Sequence, residues 1–216
     1  MADYIRDEEE QSRASGATGG RKTAWPTVVV IVLAVGSMIG WRQWQQHQSV
    51  EAGKASGLYE KMIGAMPTGA GDGDAGVVKT NAEALIDQFA GSSYAGYAHL
   101  ALAKLAVQDG DLDEAASQLR LVVDKPATKE LEHVARLRLV RVLIAQNELD
   151  AAGKELGRTW PEAMQGQALE LKGDVAKARQ QWDEARDAYA SALEAMGGQG
   201  GSDRVQMKLD DLNRQS

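Results

Sequence analysis

The run from Ala24 to Trp41 contains no charged residue, and it is bounded by Arg21 and Lys22 on one side and Arg42 on the other. At ~1.5 Å rise per residue, a helix of about 18 residues spans roughly 27 Å, close to the hydrocarbon thickness of a bilayer. A helix satisfies its own backbone hydrogen bonds, as lipid requires of any segment that crosses it. Trp25, Trp41 and Trp44 fall at the two ends, where amphipathic rings favour the headgroup layer. The run is therefore expected to be a transmembrane helix over residues 23–42, with everything after it a tethered domain.

A cleaved secretory signal fits less well. The leader is long and carries the acidic run Asp7-Glu8-Glu9-Glu10, and Trp41-Arg42-Gln43-Trp44 follows the apolar core where small residues would mark a cleavage site. A buried core helix is disfavoured because the run does not alternate apolar with polar residues. Arg6, Arg13, Arg21 and Lys22 precede the span, while Arg42, Lys54 and Lys61 follow it. That bias places the N-terminus in the cytoplasm and residues 43–216 outside it. The chain has no cysteine, so the domain uses no disulfides, which is compatible with either side of the membrane.

The net charge is -7 and nearly all of it lies beyond the span, which argues against nucleic acid or anionic lipid as the partner of the tethered domain. Abundant Ala, Leu, Gln and Glu with a single Phe describe an all-α protein. Residues 1–22 read as a polar, disordered cytoplasmic tail and residues 43–93 as a linker with N-terminal capping helices. One of these is expected to end near Met66, before Pro67 and the Gly-rich cluster that follows, and another to run from about Gly76 to Ala90. Residues 197–216 read as a Gly-rich loop and a capping helix that starts at Ser202-Asp203 and ends near Asn213.

Residues 94–196 repeat. Asp109-Gly110-Asp111-Leu112, Gln146-Asn147-Glu148-Leu149 and the turn before Trp182 each close one helix and open another, with Leu112 and Leu149 37 residues apart and Leu149 and Trp182 33 apart. A period near 34 built of two helices and a tight turn is the mark of the tetratricopeptide repeat. Ala115, Ala152 and Ala185 supply the small residue where paired helices cross, with Leu119, Leu156 and Tyr189 four positions on along the same face. Ala103, Val140 and Gly173 fill the corresponding site of the first helices, Val140 departing from the pattern. The expected fold is a single N-terminal transmembrane helix followed by a tetratricopeptide-repeat-like α-solenoid of three degenerate repeats, with a generic antiparallel helical bundle as the alternative.

Catalytic chemistry finds little footing. His47, His99 and His133 are too few and too scattered for a metal cluster, and Asp111 and Asp113 are what turns and helix starts select. No Gly-rich loop ends in Lys-Ser or Lys-Thr, so no cofactor or nucleotide is implied. What remains is surface. In stacked repeats the first helices line the inner face, here Tyr97, Leu100, Lys104 and Val107, then Val134, Leu137, Arg141 and Ile144. These side chains either form an apolar groove with two cations that receives a segment of another protein or pack against the flanking helices. Within the span, Gly36 and Gly40 form a face that permits close approach of a partner helix.

The span ending Gly36-Ser37-Met38-Ile39-Gly40-Trp41-Arg42-Gln43-Trp44, then Tyr94-Ala95-Gly96-Tyr97-Ala98, Leu137-Arg138-Leu139-Val140-Arg141-Val142, Leu171-Lys172-Gly173-Asp174 and Met207-Lys208-Leu209 together resemble the bacterial YfgM-type ancillary subunit of the Sec translocon. The resemblance covers nearly all the chain beyond the tail; the longer Gly/Ser-rich tail and the Gly-rich insert before the last helix depart from it. It implies an inner-membrane protein with a periplasmic repeat domain that associates with the SecYEG translocon and with a PpiD-like periplasmic chaperone. The implied role is to pass newly translocated polypeptides to periplasmic chaperones, with membrane lipid around the span and no catalytic residues. A repeat scaffold for envelope assembly or cell division stays open beside it.

Overall fold

Three turns with one geometry organise the domain. Gly110, Asn147 and Gln180 hold left-handed backbone conformations, with φ of 80°, 61° and 62°. In each turn the next residue's N–H reaches back to a carbonyl five positions earlier: Asp111 to Ala106 at 2.8 Å, Glu148 to Leu143 at 2.8 Å and Gln181 to Ala176 at 2.9 Å. This is the Schellman closure, which satisfies the last carbonyls of a helix and reverses the chain. Glycine meets its backbone requirement without strain only in the first turn.

The structure, a computed structural model, describes residues 20–67, 73–198 and 200–214, without the side chains of residues 20–28, 31, 32, 35 and 44–49. The described residues form nine helices: α1 (Gly20–Gly64), α2 (Ala75–Gln88), α3 (Ser93–Gln108), α4 (Leu112–Asp124), α5 (Lys129–Ala145), α6 (Leu149–Leu156), α7 (Glu162–Ala178), α8 (Trp182–Met196) and α9 (Ser202–Arg214). No strand occurs among them. The chain divides into two units, residues 1–54 and 55–216.

In the first unit the apolar run lies within α1, and Val29, Val30, Leu33, Met38, Ile39 and Trp41 are exposed. Among the described residues no helix is long and apolar enough to cross a membrane. The side chains of residues 24–28, 31, 32 and 35 of the run lie outside that description, as do those of Trp44 and His47. The tail expected over residues 1–22 lies outside the described residues up to residue 19, and the helix already begins at Gly20.

In the second unit, polar side chains cap the starts of α2, α3, α4 and α5. Asp74, Ser92, Asp111 and Thr128 accept hydrogen bonds from the N–H of Val77, Ala95, Glu114 and Leu131, as N-cap side chains do. Consecutive helices pack in pairs, and the first helices of neighbouring repeats, α3 with α5 and α5 with α7, also lie side by side. Ala115, Ala152 and Ala185 are fully buried, as are Leu119, Leu156 and Tyr189 to within a percent. The main core runs through α3 to α7. A second cluster packs the end of α1 and α2 on α3, and a third packs α9 against α7 and α8.

Two buried ionic networks tie helices together. Arg136 of α5, almost fully buried, pairs with Glu132 one turn earlier and with Glu155 of α6. Glu170 of α7, 3% exposed, accepts hydrogen bonds from Arg204 Nη2 at 2.6 Å and Lys208 Nζ at 2.8 Å, fixing α9. Burial alone would raise the Glu170 pKa, but the hydrogen bonds from Arg204 and Lys208 outweigh it and bring it down to about 2.

Candidate functional site

Side-by-side packing of α3 and α5 leaves a groove of about 310 Å³ between them. Leu100, Ala103, Lys104 and Val107 come from α3, Leu112 and Leu119 from α4, and Arg138, Arg141, Val142 and Ala145 from α5. A second hollow of about 400 Å³ shares Leu100, Lys104 and Arg138 with it and adds Tyr59, Ile63, Met66, Tyr97, Leu131 and Val134, with Thr128 and Glu130 at the start of α5. The two make one trough across the first helices. Its far end is aromatic: the Tyr59 ring lies 5.5 Å from that of Tyr94 and 5.6 Å from that of Tyr97, both tilted.

The trough has an apolar floor and a cationic edge. Lys104 Nζ donates to the Pro67 carbonyl at 3.0 Å, which holds the ammonium in place without neutralising it. Arg138 and Arg141 stand three residues apart on α5 and so share a face. Neither forms an ion pair or hydrogen bond among the described residues. Although the Arg138 side chain is exposed overall, desolvation of its guanidinium, followed by the charge of Arg141, lowers its pKa from the usual arginine value. Other arginines of the unit are answered by acids: Arg136 by Glu132 and Glu155, Arg179 by Asp150 at 2.5 Å, Arg204 by Glu170.

Of the expected groove residues, Tyr97 (42% exposed) and Val107 (46% exposed) open onto the trough, Lys104 and Arg141 stand at its edge, and Leu100 is buried beneath as floor. Val134 lines the aromatic end. Leu137 does not take part: it is 3% exposed and packs in the main core, while Ile144 packs half-buried against that core. The stripe of α5 that faces the trough runs through Val134, Arg138, Arg141 and Ala145, so Arg138 takes the place expected for Leu137. Sequence reasoning passed over it because Leu137 was the apolar choice, and on a helix packed on most sides apolar residues go to the core. The signal that could have found it is a second arginine one turn from Arg141 with no acid at helical spacing.

Elsewhere the structure gives candidate residues local tasks. Asp111 caps α4, Asp113 accepts from Gln146 Nε2 at 2.6 Å, and His99 Nδ1–H donates to Gln118 Oε1 at 2.6 Å. Gly36 and Gly40 are exposed on α1, and a Cβ built at either meets nothing within 4 Å.

Residues 23–214 match the family described as the tetratricopeptide repeat-like domain. Over 215 residues the chain is 29% identical to an Escherichia coli protein named ancillary SecYEG translocon subunit, covering 96% of both chains. It is 30% identical over 112 residues to a Haemophilus influenzae protein of the same name, covering 52% of each. No solved structure matches the chain.

Proposed function

Because the chain belongs to the tetratricopeptide repeat-like domain family, whose stacked helices build extended binding surfaces, we propose that it is a non-enzymatic, membrane-anchored scaffold of the Sec translocon. In this reading residues 23–42 cross the bacterial inner membrane once, with the N-terminus cytoplasmic and the repeats of residues 94–196 in the periplasm. Gly36 and Gly40 let the span approach a helix of the SecYEG channel closely. The trough of α3 and α5 receives newly translocated polypeptides and passes them to a PpiD-like chaperone. The observation that carries the reading is the similarity, over 96% of both chains, to a protein named ancillary SecYEG translocon subunit. The exposed apolar residues of α1 supply what a lipid-facing helix needs.

The test is affinity purification of the full chain from detergent-solubilised membranes, with SecYEG measured in the eluate. The channel co-purifies with the wild type, and Gly36→Val/Gly40→Val weakens recovery while leaving the repeat domain folded. Recovery of envelope-assembly or division proteins alone, with no channel, overturns the proposal.

A further inference from the structure

The chain carries 31 acidic residues against 24 lysines and arginines, so a carboxylate is available to most cations. Against that background, Arg138 and Arg141 are set together at the edge of one groove with no acid on either. Like charges one turn apart repel, and here the repulsion acts on a partly desolvated guanidinium. Lys104 adds a third positive charge across the groove, held by a neutral carbonyl. Beneath these charges the surface is apolar, formed by Leu100, Val107 and Leu112. A binding surface of this kind is complementary to carboxylates carried on an apolar frame.

We propose that the groove between α3 and α5 binds a polypeptide segment that places carboxylates against Arg138 and Arg141 and lays apolar side chains on Leu100, Val107 and Leu112. The planar guanidinium forks suit carboxylates, which they bind through paired hydrogen bonds. The proposal rests on the scaffold reading above and deepens it, since it states which segment of an emerging polypeptide the trough selects. It also gives the segment a direction. Glu130, at the start of α5, lies at the aromatic end of the trough. The acidic part of the segment therefore sits toward Arg141 and its neutral or basic part toward Tyr97. A polypeptide suits the site better than an anionic membrane surface, because the net negative charge beyond the span opposes approach to such a surface.

The experiment uses the full chain in nanodiscs of neutral lipid and two fluorescein-labelled twelve-residue peptides. Both carry leucines at helical spacing; one has three glutamates, the other glutamine at the same places. The glutamate peptide binds about tenfold tighter at low ionic strength, as one strong charge-assisted pair would give, and the gap narrows with added salt. Arg138→Gln/Arg141→Gln closes the gap, the glutamate peptide losing far more affinity than the glutamine peptide, in a protein whose thermal melt shows it still folded. Equal affinity of the two peptides, a gap that survives in the double variant, or failure of the wild type to bind either peptide overturns the inference. So does Arg138/Arg141-dependent binding to phosphatidylglycerol vesicles with no difference between the peptides. If SecYEG still co-purifies after such a result, the scaffold reading stands without this one; if the peptide gap is present and SecYEG does not co-purify, the reverse holds.

Discussion

Gly173 of α7 lies so close to the Tyr189 ring of α8 that a Cβ built on it would fall 2.4 Å from Tyr189 Cε1 and 2.5 Å from Cδ1. The ring has no room to retreat. It is fully buried, and its hydroxyl donates to Asp174 Oδ1 at 2.8 Å. Burial first, then that hydrogen bond and the Asp174 charge, push the phenol pKa well above its ordinary value, so the group stays a donor. The third repeat therefore keeps its helices together with a glycine against a tyrosine, at the positions where the first two repeats have Ala103 with Leu119 and Val140 with Leu156.

Gly173→Ala is expected to cost about 1–3 kcal/mol, the range of overpacking in a closed core, measured by urea unfolding of the full chain in detergent. The double variant Gly173→Ala/Tyr189→Leu reproduces the pairing of the first repeat and recovers at least half of that loss. If Gly173→Ala were neutral, the close approach would not be holding the pair in register.

The turns make a second expectation. Gln180 sits at φ 62° where the first repeat has Gly110 at φ 80°. A side chain in the left-handed region carries roughly 1 kcal/mol of strain, part of which glycine gives back through greater freedom in the unfolded chain. Gln180→Gly is expected to stabilise by about 0.5 kcal/mol, read as a higher unfolding midpoint with unchanged urea dependence. Gly110→Gln is expected to do the opposite.

These turns were legible in the sequence because the constraint is local. Gly110 and Asn147 mark chain reversals wherever they follow an apolar helix, and the alanines at 115, 152 and 185 reveal a period because helix crossing tolerates only small residues there. The face of α5 was not legible. Leu131, Ala135, Leu137, Leu139, Val140, Val142 and Leu143 are all buried, so apolar positions surround most of the helix and periodicity cannot say which edge opens. Only neighbouring α3 decides that Arg138 faces the trough and Leu137 the core. The tie between Glu170 and Arg204 was equally hidden, since the two stand 34 residues apart and meet only after α8 has turned the chain back.

That tie carries a pH dependence of definite sign. The folded pKa of Glu170 is about 2 and its ordinary value is 4.5, so folding favours the ionised form. The stabilisation is complete above about pH 4.5 and is lost as pH falls toward 2, amounting to up to about 3 kcal/mol, less what solvent takes from the half-exposed Arg204. Glu170→Gln is expected to be less stable than wild type at pH 7 and to converge with it by pH 2, the difference closing inside that window. Hydrogen exchange should place the early loss in α9. A constant difference between the two proteins from pH 7 to 2 would contradict this account.

Tyr97 and Leu137 were expected to share one role, and their burial now separates them. Leu137 is enclosed by the main core, so Leu137→Ala is expected to cost about 2–5 kcal/mol through lost contacts and a cavity. Tyr97 is 42% exposed and its ring contact is with Tyr59, so Tyr97→Ala is expected to cost only about 1 kcal/mol. Binding should rank them the other way. Under conditions where both variants remain folded, Tyr97→Ala is expected to weaken the leucine-bearing peptides about fivefold, close to 1 kcal/mol, because it strips the aromatic end of the trough. Leu137→Ala should leave that affinity within a factor of two, since its side chain does not reach the trough surface. Thermal melts and peptide anisotropy on the same two preparations give both rankings. A Leu137→Ala protein that kept its stability and lost the peptide would return Leu137 to the groove and remove Arg138 from it.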